Sequence, residues 1–129
     1  MKSYQELEVW KKSKEIVLDI YRASNSFPTE EKYGLISQIR RASISVPANI
    51  AEGHGRNHTR DTLQFLHISR GSLYELETLL ILSNELNYLK INTLNSIAEK
   101  ITECIKMLNG LINYFENKFI SKKAESVFD

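Results

Sequence analysis

Apolar residues recur at spacings of three and four through four successive segments of this 129-residue chain, and no stretch alternates convincingly at a spacing of two. That period belongs to the α-helix, and a chain with no strand must bury each helical stripe against other helices. In the first segment, about residues 6–26, the stripe is Val9, Ser13, Ile16, Ile20, Ser24 and Phe27, widened by Trp10 and Val17. Lys11, Lys12, Lys14, Glu15, Asp19 and Arg22 fill its other side. The third segment, about 59–85, carries Leu63, Leu66, Arg70, Leu73, Leu76 or Glu77, and Leu80 on one face, thickened by Phe65, Leu79 and Leu82. The fourth opens at Asn92 or Thr93 and repeats through Leu94, Ile97, Ile101, Cys104 or Ile105, Leu108, Leu111 or Ile112, and Phe115. Thr29 and Thr59 are the expected N-caps of the second and third helices, with Glu30, Glu31 and Asp61 suited to the positive helix ends. Residues 53–58 form the clearest loop, and Asn87 is placed to end the third helix. Short links favour an all-α, antiparallel up-down-up-down four-helix bundle. A single domain is expected over residues 1–119, followed by a flexible C-terminal tail at 120–129.

The second segment, about 30–52, is unusual. From Tyr33 to Ala51 the only charges are Arg40 and Arg41. A helix on the outside of a bundle carries charge on its water face, so this one is expected to face a second partner besides its own core. Ile36, Ile39, Ser43, Val46 and Ile50 make a core stripe. Gln38, Ala42, Ser45, Asn49 and Glu52 make a second, small and polar stripe, about 100° around the helix. That second stripe, with Arg40 and Arg41, is the expected oligomer interface. Pro47 removes a backbone donor within the segment, which predicts a kink there, with the Ser43 hydroxyl available to the local backbone.

Seventeen basic against sixteen acidic residues give a net charge of +1, so bulk charge does not mark a nucleic-acid protein. The single Cys104 forms no internal disulfide and falls on the core stripe, which predicts an inert thiol and fits a reducing compartment. No signal-peptide-like or membrane-spanning apolar run is present, so a soluble cytoplasmic protein is expected.

The chemistry-bearing residues are sparse. His54 and His58 are four apart, but the flanking Gly53 and Gly55 disfavour helix and no third ligand is spaced to join them; no metal or cofactor is expected. Glu75 and Glu77 point in different directions on a helix, and Glu99 and Glu103 lack a companion histidine. No P-loop, nucleophile elbow or HExxH motif occurs, and no enzyme is expected. The span from Arg40 to Arg70 holds five arginines against Glu52 and Asp61. Arginine forks suit phosphates, and Arg56, His58, Arg60 and Arg70 are the candidate nucleic-acid contacts. Arg40 and Arg41 fit better as partners of acids such as Glu52, Glu75 or Glu77, across helices or subunits.

The runs Gly34-Leu35, Gln38 to Ala42, Ser45-Val46-Pro47 and Asn49 to Gly53 resemble those of a bacterial family. Leu7-Glu8-Val9-Trp10, Phe65-Leu66, Gly71-Ser72-Leu73 and Glu75 to Thr78 are similar too. The family is that of the four-helix-bundle proteins encoded in intervening sequences of 23S rRNA genes, some once labelled ribosomal proteins. The resemblance implies a homopentameric ring, in which contacts are head-to-tail. A related group, the accessory variability proteins of diversity-generating retroelements, binds a reverse transcriptase and nucleic acid through a basic surface. Self-association, RNA or DNA binding, and a protein partner such as a polymerase are therefore the implied interactions.

Overall fold

The computed structural model describes residues 3–128, with side chains through residue 125. Four α-helices carry the fold: α1 (Glu8–Ser24), α2 (Leu35–His54), α3 (Thr59–Glu85) and α4 (Ile91–Phe128). Two short 3-10 turns, Tyr4–Glu6 and Thr29–Glu31, precede α1 and α2, and no strand forms among the described residues. The chain is all-α, as its periodicity predicts.

The stripe of α1 is buried as expected at Val9, Ser13, Ile16, Ile20 and Ser24. Its two core serines cost little, because Ser13 donates to the Trp10 carbonyl at 2.7 Å and Ser24 to the Ile20 carbonyl at 2.7 Å. The centre of the bundle is aliphatic: Ile16, Ile20, Ile39, Leu73, Leu76, Leu80, Ile101 and Leu108 are almost completely shielded.

The second helix begins later than the sequence predicts. Residues 29–31 form a 3-10 turn, and α2 starts at Leu35. The reason is local: the Glu31 carboxylate accepts from the Leu35 N–H at 3.3 Å, so it supplies the acceptor expected of Thr29. α2 then runs through Pro47 to His54, and Gly53, expected in a loop, is buried inside it. The Ser43 hydroxyl donates to the Arg40 carbonyl at 2.8 Å.

His58, not Thr59, caps α3, and it does so through its carbonyl, which accepts from the Asp61 and Thr62 N–H groups. The far end of α3 stops as predicted near Asn87, which adopts φ 66°. The Asn87 N–H bonds the Asn84 carbonyl and the Tyr88 N–H the Ser83 carbonyl, a Schellman closure with asparagine in the left-handed position. α4 does not fray at residue 120: helix continues through the expected tail to Phe128, while Asp129 lies outside the described residues.

Each helix packs on two neighbours. α1 touches α2 and α4, α3 touches α2 and α4, and no backbone contact joins α1 to α3 or α2 to α4 among the described residues. The α2–α3 seam is closed by polar groups of small size. Thr62 donates to the Gly53 carbonyl at 2.9 Å, Ser69 to the Val46 carbonyl at 2.9 Å, and Ser72 to the Ser45 hydroxyl at 2.9 Å. These partners rise in number along α2 as they fall along α3. The α1–α4 seam shows the same reversal, with Lys100 bonded to Asp19 at 2.7 Å and Lys12 paired with Glu103 at 3.1 Å.

Candidate nucleic-acid interface

The candidate residues divide between three places. Arg56, His58 and Arg60 gather at the α2–α3 loop and the start of α3, at one end of the bundle. Arg56 is committed within the chain: it pairs with Glu52 at 2.9 Å and lies over the Phe65 ring at 4.8 Å. Arg60 is exposed and forms no hydrogen bond or ion pair among the described residues.

Arg70 does not join them. It lies ten residues further along α3, about 15 Å up the helix. Its guanidinium donates to the Asn109 side-chain oxygen at 2.8 Å and bonds the His67 Nδ1 at 3.1 Å. It therefore fastens α3 to α4, where His67 also approaches Glu116 at 3.8 Å. Arg70 belongs to the helix–helix seam, apart from the basic loop.

The end of α4 supplies what the sequence reading omits. Asn57, His58, Thr59, Arg60 and Asp61 face Phe119, Lys122 and Lys123 across an open groove of about 450 Å³. Among the described residues lining it, Arg60, Lys122 and Lys123 face the carboxylate of Asp61. The Lys123 ammonium lies 5.1 Å from the centre of the Phe119 ring. A second groove of about 400 Å³ adjoins the first and shares Asn57 and Thr59. It is mostly apolar, lined by Leu7, Ile50, Leu66, Leu111 and Phe115, with Lys118 at its edge. A signal for these residues exists in the sequence: Phe115 and Phe119 continue the stripe of the fourth segment at a spacing of four, as do Lys118 and Lys122.

The expected oligomer residues are used largely inside the chain. Ala42 is fully buried. Asn49 donates to both the carbonyl (2.8 Å) and the hydroxyl (3.0 Å) of Ser45, which also receives Ser72. Arg40 turns to α1, contrary to its expected pairing with an acid. It donates to Ser24 Oγ at 2.9 Å and Asn25 Oδ1 at 3.1 Å, and covers the Tyr21 ring at 4.5 Å. Arg41 does meet an acid, Glu75, at 3.5 Å. Gln38 is exposed, and Glu52 is the partner of Arg56. The side of α2 left to the exterior carries Ser37, Gln38, Arg41, Ile44, Ala48 and Glu52, with no charge between Arg41 and Glu52.

Burial pushes the Cys104 thiol up to about 12, and its sulfur sits 3.9 Å from the Val9 carbonyl. His54 ends α2 and His58 precedes α3, and no group of three or more His, Cys, Asp or Glu among the described residues could hold a metal ion. Among those residues, no helix is long and apolar enough to cross a membrane.

No curated protein matches the chain. Among solved structures, it is similar to a protein of unknown function from the S23 ribosomal protein family of Bacteroides thetaiotaomicron VPI-5482. The two share 28% identity and a TM-score of 0.75, over 81% of this chain and 95% of that one. The profile of the 23S rRNA-intervening sequence protein family matches residues 5–110, so Phe119, Lys122 and Lys123 lie beyond the matched region. With that match over most of its length, and four helices as its only long elements, the chain belongs to the 23S rRNA-intervening sequence protein family.

Proposed function

We propose that this protein is a non-enzymatic, self-associating helical module that binds RNA through the basic end of its bundle. The observation that carries this reading is the convergence of Arg60 from α3 with Lys122 and Lys123 from α4 around one groove. The other five arginines are engaged inside the chain: Arg41, Arg56 and Arg22 with acids, Arg40 and Arg70 with neutral acceptors. Arg60 has no such engagement. An exposed arginine with no acid partner among the described residues can exchange its counterions for phosphates. Salt-series binding of the purified protein to single-stranded RNA tests the reading. A steep loss of affinity with salt supports it, and the lack of any salt-sensitive binding to RNA or DNA refutes it.

Self-association is the second element of the proposal. Ile44 is 45% exposed on the charge-poor outer side of α2, and Ile68 is 43% exposed on α3. A charge-poor outer face with an exposed isoleucine is suited to a second copy of the chain, and the family resemblance favours a ring of five. Ile44→Lys is expected to leave the helical content intact and to reduce the assembly seen by sedimentation. A wild-type monomer at micromolar concentration would overturn this element.

A protein adaptor is the alternative reading, favoured by the apolar groove beside Leu7, Ile50 and Phe115. A defined protein partner that survives nuclease treatment in a pull-down would support it over RNA.

A further inference from the structure

We infer that the groove between the start of α3 and the end of α4 holds one phosphate of an unpaired RNA strand, with Arg60, Lys122 and Lys123 on the phosphate and Phe119 beside the adjoining base. The inference rests on the RNA reading and assigns its point of contact. Three features of the groove lead to it.

The first is charge gathered in one groove. Arg60, Lys122 and Lys123 come from two separate helices and, among the described residues that line the groove, face the carboxylate of Asp61. A fork such as Arg60 grips two phosphate oxygens at once, while lysines add point charge. The α3 start contributes in the same sense: its first turn has no side-chain cap, and its dipole favours an anion.

The second is size. About 450 Å³ matches sites that take small molecules, not a double helix. A nucleotide fits such a groove when its neighbours do not hold it in a duplex.

The third is the aromatic wall. Unpaired bases stack on aromatic faces, whereas duplex bases are already stacked. The Lys123 ammonium lies over the Phe119 ring. A bound phosphate draws that ammonium away, and the ring face it leaves opens to the next base. Phosphate capture and stacking are thus coupled through one side chain.

Fluorescence anisotropy with a short labelled oligouridylate, and with an RNA duplex of equal length, tests this on the full chain. Arg60→Gln and Lys123→Gln are each expected to weaken single-strand binding several-fold and to make its log–log salt slope shallower. Phe119→Leu is expected to weaken single-strand binding by about fivefold or more and to leave duplex binding unchanged. Lys106→Gln, on α4 about 24 Å from Lys122 along the helix, should leave binding unaffected. Helical circular dichroism confirms that each variant is folded. If the wild type binds RNA with steep salt dependence while all three groove variants match it, the groove is not the contact and the RNA reading survives. If the wild type binds no RNA, both fail. Displacement of the oligonucleotide by inorganic phosphate or uridine monophosphate, beyond a chloride control of equal ionic strength, would reveal a free-phosphate site and overturn the strand assignment. Equal affinity for duplex and single strand would overturn it as well.

Discussion

Ser69 on α3 donates a 2.9 Å hydrogen bond to the backbone carbonyl of Val46 on α2, one residue before Pro47. A side chain this short reaches the backbone of another helix only where the two helices lie close. The same closeness brings Thr62 to the Gly53 carbonyl. Ser69→Ala is expected to cost about 1 kcal/mol, the net worth of one buried hydrogen bond. Ser69→Leu forces the helices apart and is expected to cost about 1–3 kcal/mol or more. Urea unfolding of both variants measures the difference; equal stability of wild type and Ser69→Leu would show that the seam has slack.

Two glycines in helices should respond in opposite directions. A Cβ at Gly53 would lie 3.1 Å from Phe65 Cβ and 3.3 Å from the Thr62 carbonyl oxygen, whereas one at Gly71 would meet nothing within 4 Å. Gly71→Ala therefore gains helix propensity, about 1 kcal/mol, without steric cost. Gly53→Ala sets the same gain against overpacking of about 1–3 kcal/mol and is expected to destabilise. Thermal unfolding of the pair provides the check, and the expected order of stability is Gly71→Ala, wild type, Gly53→Ala.

Arg40 ties the end of α1 to α2 through Ser24, Asn25 and the Tyr21 ring. Arg40→Ala is expected to cost about 1–3 kcal/mol, since it leaves a buried serine oxygen short of a charged donor. Lysine lacks the planar fork that spans both acceptors and the ring, so Arg40→Lys should recover little of that loss. Full recovery by lysine in denaturant titrations would mean that charge alone matters at this position.

Cys104 predicts an alkaline effect. Its folded thiol is pushed up from the ordinary 9.0 to about 12, so the unfolded thiol ionises first. The stability from keeping the thiol neutral is whole below about pH 9 and declines as pH rises toward 12. Unfolding free energy above pH 9 should fall faster for wild type than for Cys104→Ala. A thiol reagent should label the native protein at pH 8 far more slowly than the denatured chain.

How much of this is legible in sequence depends on the residue. The α1 stripe can be read position by position, because charged residues occupy nearly all of the opposite side. The stop at Asn87 is equally legible, since asparagine tolerates the left-handed conformation. The start of α2 is not, because the acceptor is the Glu31 side chain reaching forward to Leu35. Periodicity finds the small stripe of Ala42, Ser45 and Asn49 but cannot say what it faces. The structure sets Ser45 against Ser72 of the same chain. At the basic end, Arg60 is visible as an arginine near a loop. The groove itself is not, because its other wall, Phe119 to Lys123, has the composition of a tail and becomes a surface only as α4 extends past the bundle.

The central claim is that this basic end binds RNA. Its most direct test is the affinity of the purified protein for a labelled single-stranded RNA across a series of salt concentrations. With Arg60, Lys122 and Lys123 gathered at the strand's backbone, the log of the affinity should fall linearly with the log of salt, by about 0.7 for each phosphate that the basic end neutralises. Arg60→Gln should make that slope shallower. A salt-independent affinity, or no binding at low salt, would contradict the account.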